Sequence, residues 1–151
     1  MKRLFSAALI TACMAATLPA QAQFRNAEAA VKYRQGVMQV QGFHVGRLFG
    51  MANGRIPFDA KVAAADAAVL EAVSRLPYIA FTDGSDTVAS SRAKPEIWKE
   101  RAKFDAAANK TADDIAKLNV AAKTGNLDQI KTAVGAVGAS CKACHDNYQA
   151  Q

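Results

Sequence analysis

Close to the C-terminal end of this 151-residue chain stands the run Cys141-Lys142-Ala143-Cys144-His145. On a helix its two cysteines lie at i and i+3 and its histidine at i+4, so two thiols and an imidazole share one face. A C-x-x-C-H run reads as the covalent attachment site of a c-type haem. The thiols add across the porphyrin vinyl groups as thioethers, and the imidazole is held beneath the iron as its proximal ligand. The fold must then leave a porphyrin-sized space beside a helix near the end of the chain. A dithiol redox site uses the same cysteine spacing, but it does not need the histidine and normally opens a helix after a strand, a pattern absent here. Structural zinc needs a fourth ligand; His44 is about a hundred residues away, and there is no second cysteine pair.

The start of the chain carries an export signal. Met1-Lys2-Arg3 is basic, and Leu4 to Leu18 is apolar but too short to span a bilayer as a mature helix. Ala20-Gln21-Ala22 is a small-x-small cleavage site, which predicts domain boundaries of 1–22 for the signal and 23–151 for the mature protein. Ile10-Thr11-Ala12-Cys13 loosely resembles a lipoprotein signal, but the Ala-x-Ala site downstream is the stronger of the two. Cleavage after Ala22 removes Cys13 and leaves only the two haem-motif cysteines, so no structural disulfide is expected. Because thioether attachment in bacteria takes place outside the cytoplasm, the motif and the signal together predict a periplasmic protein. Removal of Lys2 and Arg3 leaves 17 basic residues against 13 acids, a net charge of +4. These charges are scattered along the chain, which argues against nucleic-acid binding.

Between signal and motif the hydrophobic period is helical. Val31, Val37, Met38, Val45 and Leu48 form a stripe from Ala27 to about Met51, closed by Asn53-Gly54. Asp59 is a candidate N-cap for a second helix with the stripe Val62, Val69, Val73 and Leu76, and Pro77 marks its end. Thr82 to Lys94 has turn residues and no period, and reads as an exposed connection whose serines and aspartates suggest no chemistry. Pro95 and Glu96 are expected to open a third helix running to Gly125, with Trp98, Phe104 or Ala108, Ile115 and Leu118 inward. Asn126 to Gln129 resembles a capping box for a fourth helix bearing Leu127, Ile130, Val134, Val137, Cys141 and Tyr148. No strand pattern competes. The expected fold is all-α, an antiparallel four-helix bundle with a covalent haem in its core near the end of helix four.

These residues resemble cytochrome c-prime, the high-spin branch of the class II c-type cytochromes, over essentially all of Gln23 to Gln151. The resemblance rests on Ala30-Val31-Lys32-Tyr33-Arg34-Gln35, His44-Val45-Gly46-Arg47, Ile56-Pro57-Phe58-Asp59-Ala60, Leu76 to Phe81, Lys94 to Trp98 and Gly138 to Asp146, in that order. It implies one haem c per chain, bound through Cys141 and Cys144, with His145 as the only protein ligand to a five-coordinate iron. By the same resemblance Met38 closes the distal face, Arg34 and Gln35 lie near the haem propionates, and Tyr78 and Phe81 lie at the haem edge. Read from the residues alone, Met38 is also a core filler, Arg34 also a solvated helix charge, and Tyr78, Phe81 and Trp98 also core packing. His44 is off the Met38 face and reads as a structural or surface residue, not a haem ligand. The family usually carries Arg or Lys four residues after the haem histidine, and this chain has Gln149, so a cation favouring ferrous iron is missing there.

The resemblance implies a non-enzymatic haem protein that binds nitric oxide and carbon monoxide, with possible electron transfer to a redox partner that the sequence does not identify. It also implies a homodimer, to which Val40 and Phe43, off the Met38 stripe, offer apolar surface. The alternative is a low-spin His/Met electron carrier, in which the Met38 thioether takes the sixth position. A peroxidase would need distal acid-base residues, and the Met38 face carries none.

Overall fold

The computed structural model describes residues 23–150, so the expected export signal and cleavage site lie outside the described residues. Helix α1 spans Ala27–Ala52. Asn26 caps it by accepting a hydrogen bond from Ala29 N at 2.9 Å, and Glu28 in the first turn complements the positive end of the helix. Gly54, at φ +69°, turns the chain away after Asn53, as the Asn-Gly pair predicts. Helix α2 spans Ala60–Val73, and Asp59 accepts from Lys61 N and Val62 N as the expected N-cap. A 3-10 turn follows at Leu76–Ala80, then a loop, the single-turn helix α3 (Glu96–Lys99), α4 (Arg101–Lys123) and α5 (Leu127–Tyr148).

The four long helices form a closed ring in which α1 packs on α2 and α5, and α4 packs on α2 and α5. Their inward residues fall into two groups. At one end Leu48 and Met51 of α1 meet Ala63, Ala67 and Leu70 of α2, Ile115 and Leu118 of α4, and Ile130, Val134 and Val137 of α5. The late part of α1 thus lies with the early part of α2, and the late part of α4 with the early part of α5, as an antiparallel four-helix bundle requires. At the other end Phe81, Ile97, Phe104 and Tyr148 form an aromatic group, with Met38, Tyr78, Trp98 and Cys144 packed against it.

Four details depart from the sequence reading. In α2 the inward face is Ala63, Asp66, Ala67 and Leu70, whereas Val69 and Leu76 are exposed and Val62 and Val73 half-buried. An alanine-rich helix can approach its neighbours closely through alanine, so here the valines and Leu76 did not mark the core, and Leu70 did. The third helix is not continuous from Pro95, because Glu100 at φ −119° and ψ 42° breaks it and α4 starts afresh at Arg101. Asn126 caps α5 through Asp128 N and Gln129 N, but the reciprocal half of the box goes elsewhere: Asn126 N donates to Thr124 Oγ1, and so does not meet Gln129. Finally, the loop after Phe81 is not wholly exposed, since Ser85 is fully buried.

His44 is structural, as its position off the Met38 face suggested. Its Nδ1 lies 2.7 Å from Asp66 Oδ1, Arg47 Nε donates to Asp66 Oδ2 at 2.6 Å, and Arg47 Nη2 donates to Oδ1. Burial alone would raise the Asp66 carboxyl, but the hydrogen bonds from Arg47 and His44 outweigh it and hold the group below the ordinary carboxylate range. This cluster ties α1 to α2 with the charge of a fully buried aspartate compensated.

Candidate functional site

The aromatic end of the bundle opens into a cavity of about 670 Å³. Its walls come from α1, the 3-10 turn, the following loop, α4 and the last turns of α5. A cavity this large is within the range of sites that hold cofactor-sized ligands, about 300–1,000 Å³. All eight residues singled out from the sequence, Arg34, Gln35, Met38, Tyr78, Phe81, Cys141, Cys144 and His145, line it.

The α5 wall follows from helical spacing. Cys141 and Cys144 are half-buried free thiols one turn apart, and His145 beside them is exposed. Burial pushes both thiols up, Cys144 to about 11 with Cys141 adding to it, and Cys141 through burial and then the nearby Asp114. The polypeptide thus presents two protonated thiols. Helix α5 ends just beyond them, where Gln149 N donates to His145 O at 3.0 Å. The chain then pairs with the loop before α3: Ala93 and Gln149 form an antiparallel bridge, Lys94 N donates to Tyr148 O, and Ala150 N to Arg92 O.

Helix α1 adds Met38, Gly42 and Val45 to the lining, at i, i+4 and i+7. No atom lies within 4 Å of a side chain built at Gly42, so the helix leaves open space there. Gln41 also lines the cavity, but its Nε2 donates to Val73 O at 3.0 Å and is thereby turned to the main chain.

The floor is aromatic. Phe81 meets Phe104 edge-on at 4.8 Å, Tyr78 and Tyr148 meet Phe104 edge-on at 5.9 and 5.3 Å, and the Arg34 guanidinium lies 4.4 Å over the Phe81 ring. Burial, with lesser contributions from Cys144 and Cys141, raises the Tyr78 phenol well above its ordinary value, so it is a neutral hydroxyl. Trp98 Nε1 is buried in this region without a hydrogen-bond partner among the described residues.

Arg34 is placed by the loop. It is only 3% exposed, and its Nη1 donates to Ala80 O and Ser85 Oγ while its Nη2 donates to Ser85 O and Ser91 Oγ, at 2.7 to 3.0 Å. Burial lowers its pKa to about 10, with Asp86 opposing, so it is charged at neutral pH. Gln35 Nε2 donates to Ser90 O at 2.7 Å, adding a second tie to the same loop. Ser85, Ser91 and Arg92 had no signal in the sequence, because a serine-rich stretch without period looks alike whether it is solvated or folded around one guanidinium. Tyr148 was legible as an inward position of α5 but not as cavity wall, and Thr111 of α4 was not singled out at all.

The donor set suits a haem. Two thiols and an imidazole stand on one helix, a large apolar wall faces them, and the charged lining residues are Arg34 and Arg92 with no carboxylate, which favours a group whose own charge is negative.

Comparison with known proteins agrees with this geometry. The family model described as Cytochrome C' matches residues 29–149. The chain is 45% identical to the cytochrome c' of Rubrivivax gelatinosus over 84% of this chain and 98% of that protein, and 42% identical to that of Alcaligenes xylosoxydans xylosoxydans over the same shares. The crystal structure of the Rubrivivax gelatinosus protein superposes with a TM-score of 0.81 at 45% identity, covering 84% of this chain and 99% of that one. A carbon monoxide-bound variant of cytochrome c prime from Alcaligenes xylosoxidans superposes with a TM-score of 0.79 at 41% identity, covering 85% of this chain and 100% of that one. A nitric oxide complex of another variant of that protein matches with the same TM-score, identity and shares.

Proposed function

The chain belongs to the cytochrome c' family and is a haem c protein, and from that premise we propose that it is a periplasmic binder of nitric oxide and carbon monoxide, exported by residues 1–22. In this reading Cys141 and Cys144 would hold the haem as thioethers and His145 would supply the imidazole to its iron. The observation that carries it is the cavity itself, which the motif residues of α5 line together with Met38, Gly42 and Val45 of α1. The haem supplies an iron with a coordination position for a diatomic ligand. The rest is the work of the chain.

Met38, which lines the cavity from α1, would be an apolar lid on the gas-binding side. A thioether is a weak acceptor and no donor, and of the α1 amides lining the cavity Gln35 is engaged with Ser90 O and Gln41 with Val73 O while Gln39 is exposed, so Met38 itself offers no hydrogen bond to a bound gas. Such a wall disfavours dioxygen, whose bound form gains from a donor, relative to the less polar carbon monoxide and nitric oxide. Gln35 ties the cavity-lining loop to α1, and Tyr78 and Phe81 close the floor. Carbon monoxide titration of the reduced protein tests the reading. Binding in the wild type, tightened in Met38→Ala as the lid is removed, is the expected result. Uptake that begins only when Met38 is removed would overturn it and favour an electron carrier with Met38 on the iron.

Exposed apolar side chains on α1 and α2, away from the Met38 face, support a homodimer. Val40 and Phe43 of α1 and Val69 of α2 are exposed, with Leu76 just beyond, and Phe43 is 62% exposed. A second copy would cover these side chains symmetrically. Sedimentation at micromolar concentration should give a two-chain species, and Phe43→Glu should give a one-chain species; a single-chain species in the wild type would count against it. No helix among the described residues is long and apolar enough to cross a membrane.

A further inference from the structure

We infer that Arg92, in the loop before α3, is the cation that pairs with a haem propionate, and that Arg34 is committed elsewhere. The inference rests on the haem reading above and concerns a side chain that no motif marks. Two arginines line the cavity and no carboxylate does, so the acidic edge of a haem has two candidate partners.

Arg34 is the less available of the two. A guanidinium has five N–H donors, and four of these are turned to Ala80 O, Ser85 Oγ, Ser85 O and Ser91 Oγ. Only Nε–H is left, which offers a single bond and no fork. Withdrawing the others would strand polar atoms of Ser85, a fully buried residue.

Arg92 is arranged the opposite way. Its Nε and Nη2 both donate to Ala150 O, at 3.1 and 2.8 Å, which occupies one edge of the guanidinium. The Nη1–Nη2 edge remains, and that is the fork that matches a carboxylate with two parallel bonds. The backbone under it is fixed as well: Ala150 N donates to Arg92 O at 2.8 Å, and the Ala93–Gln149 bridge follows directly. None of the ion pairs among the described residues uses Arg92.

The residue is exposed, yet held at both ends, on the rim of a cavity whose floor is Phe81 and Phe104. Propionates are strongly hydrated carboxylates, so a rim partner spares them the desolvation that a partner on the floor would impose. The other charged or titratable groups lining the cavity are Arg34 from α1, Tyr78 from the 3-10 turn, and Cys141, Cys144, His145 and Tyr148 from α5; Asp86 acts on Arg34, and Lys94 Nζ donates to Asp146 O. Asp146 is itself paired with Lys142.

Potentiometric titration of the holoprotein from acid to alkaline pH tests this, together with resonance Raman spectra of the propionate bending band. Loss of a cation beside the haem favours the ferric state and raises the pKa of the propionate that loses its partner. Arg92→Gln should therefore lower the reduction potential, move the pH at which the potential bends upward, and shift the Raman band. Arg92→Lys should restore the potential while leaving the band shifted, because an ammonium keeps the charge but not the fork. Arg34→Lys should lower the melting temperature and leave both the bend and the band in place. Wild-type bend and band in an Arg92→Gln protein that carries covalent haem would overturn the pairing alone. A polypeptide with no covalent haem in alkaline pyridine would remove the haem reading and the pairing with it.

Discussion

Arg34 occupies a position on α1 where a charge is ordinarily solvated, and it is instead enclosed by the segment from Ala80 to Ser91. Arg34→Met should lower stability by about 3 kcal/mol, since it leaves the Ser85 hydroxyl and carbonyl and the Ala80 carbonyl without their partner. Thermal melts would measure the loss, and limited proteolysis should cut first between residues 82 and 94. Asp66 carries a pH dependence with a definite sign. Its carboxyl titrates lower in the folded protein than the ~3.9 of an unfolded aspartate, so its contribution is complete above that value. The contribution is lost as the pH falls through the folded pKa. Asp66→Asn should therefore cost about 2 kcal/mol at neutral pH, with the difference from wild type shrinking in acid melts. Neither role was legible in the sequence. Arg34 was legible as a cavity residue only by resemblance, and Asp66 lay in an alanine run whose inward face is mostly alanine, with Leu70 its one large apolar residue. The motif residues were legible outright, because the chemistry of two thiols and an imidazole at i, i+3 and i+4 depends only on local spacing.

Helix ends were the clearest signals at the next scale, since a cap is decided within a few residues. Asn53-Gly54, Asp59, Gly125 and Asn126 act where the sequence placed them. The break at Glu100 was not legible, because nothing in the residues around it forbids helix; it lies where α3 packs against both α4 and α5. The loop after Phe81 was not legible either, because its fold depends on a guanidinium some fifty residues earlier in the chain. Helix α5 offers a matched pair of tests. A Cβ at Gly138 would stand 2.6 Å from Phe49 Cζ, where α5 crosses α1, while one at Gly135 would meet nothing within 4 Å. Gly138→Ala should destabilise by about 1–2 kcal/mol as the Phe49 ring is displaced, and Gly135→Ala should stabilise by about 0.5–1 kcal/mol through helix propensity. Chemical denaturation of the two variants would check the opposite signs.

Over the whole molecule the antiparallel bundle divides its interior into an aliphatic end that packs on itself and an aromatic end built around a cavity. The number of long helices, their order and the site's position near the end of the chain were all readable from period and motif, and the division of the core was not. A bundle open by some 670 Å³ depends on its cofactor to close one end. Cys141→Ser with Cys144→Ser should therefore leave no covalent haem and lower the melting temperature by more than ten degrees, a shift on the order of 3 kcal/mol for a domain of this size. Electron paramagnetic resonance of the ferric protein at neutral pH reports directly on whether Met38 is a lid or a ligand. A high-spin signal that Met38→Ala leaves high-spin is the expected result for a gas-binding haem. A low-spin signal in the wild type that becomes high-spin in Met38→Ala would contradict it.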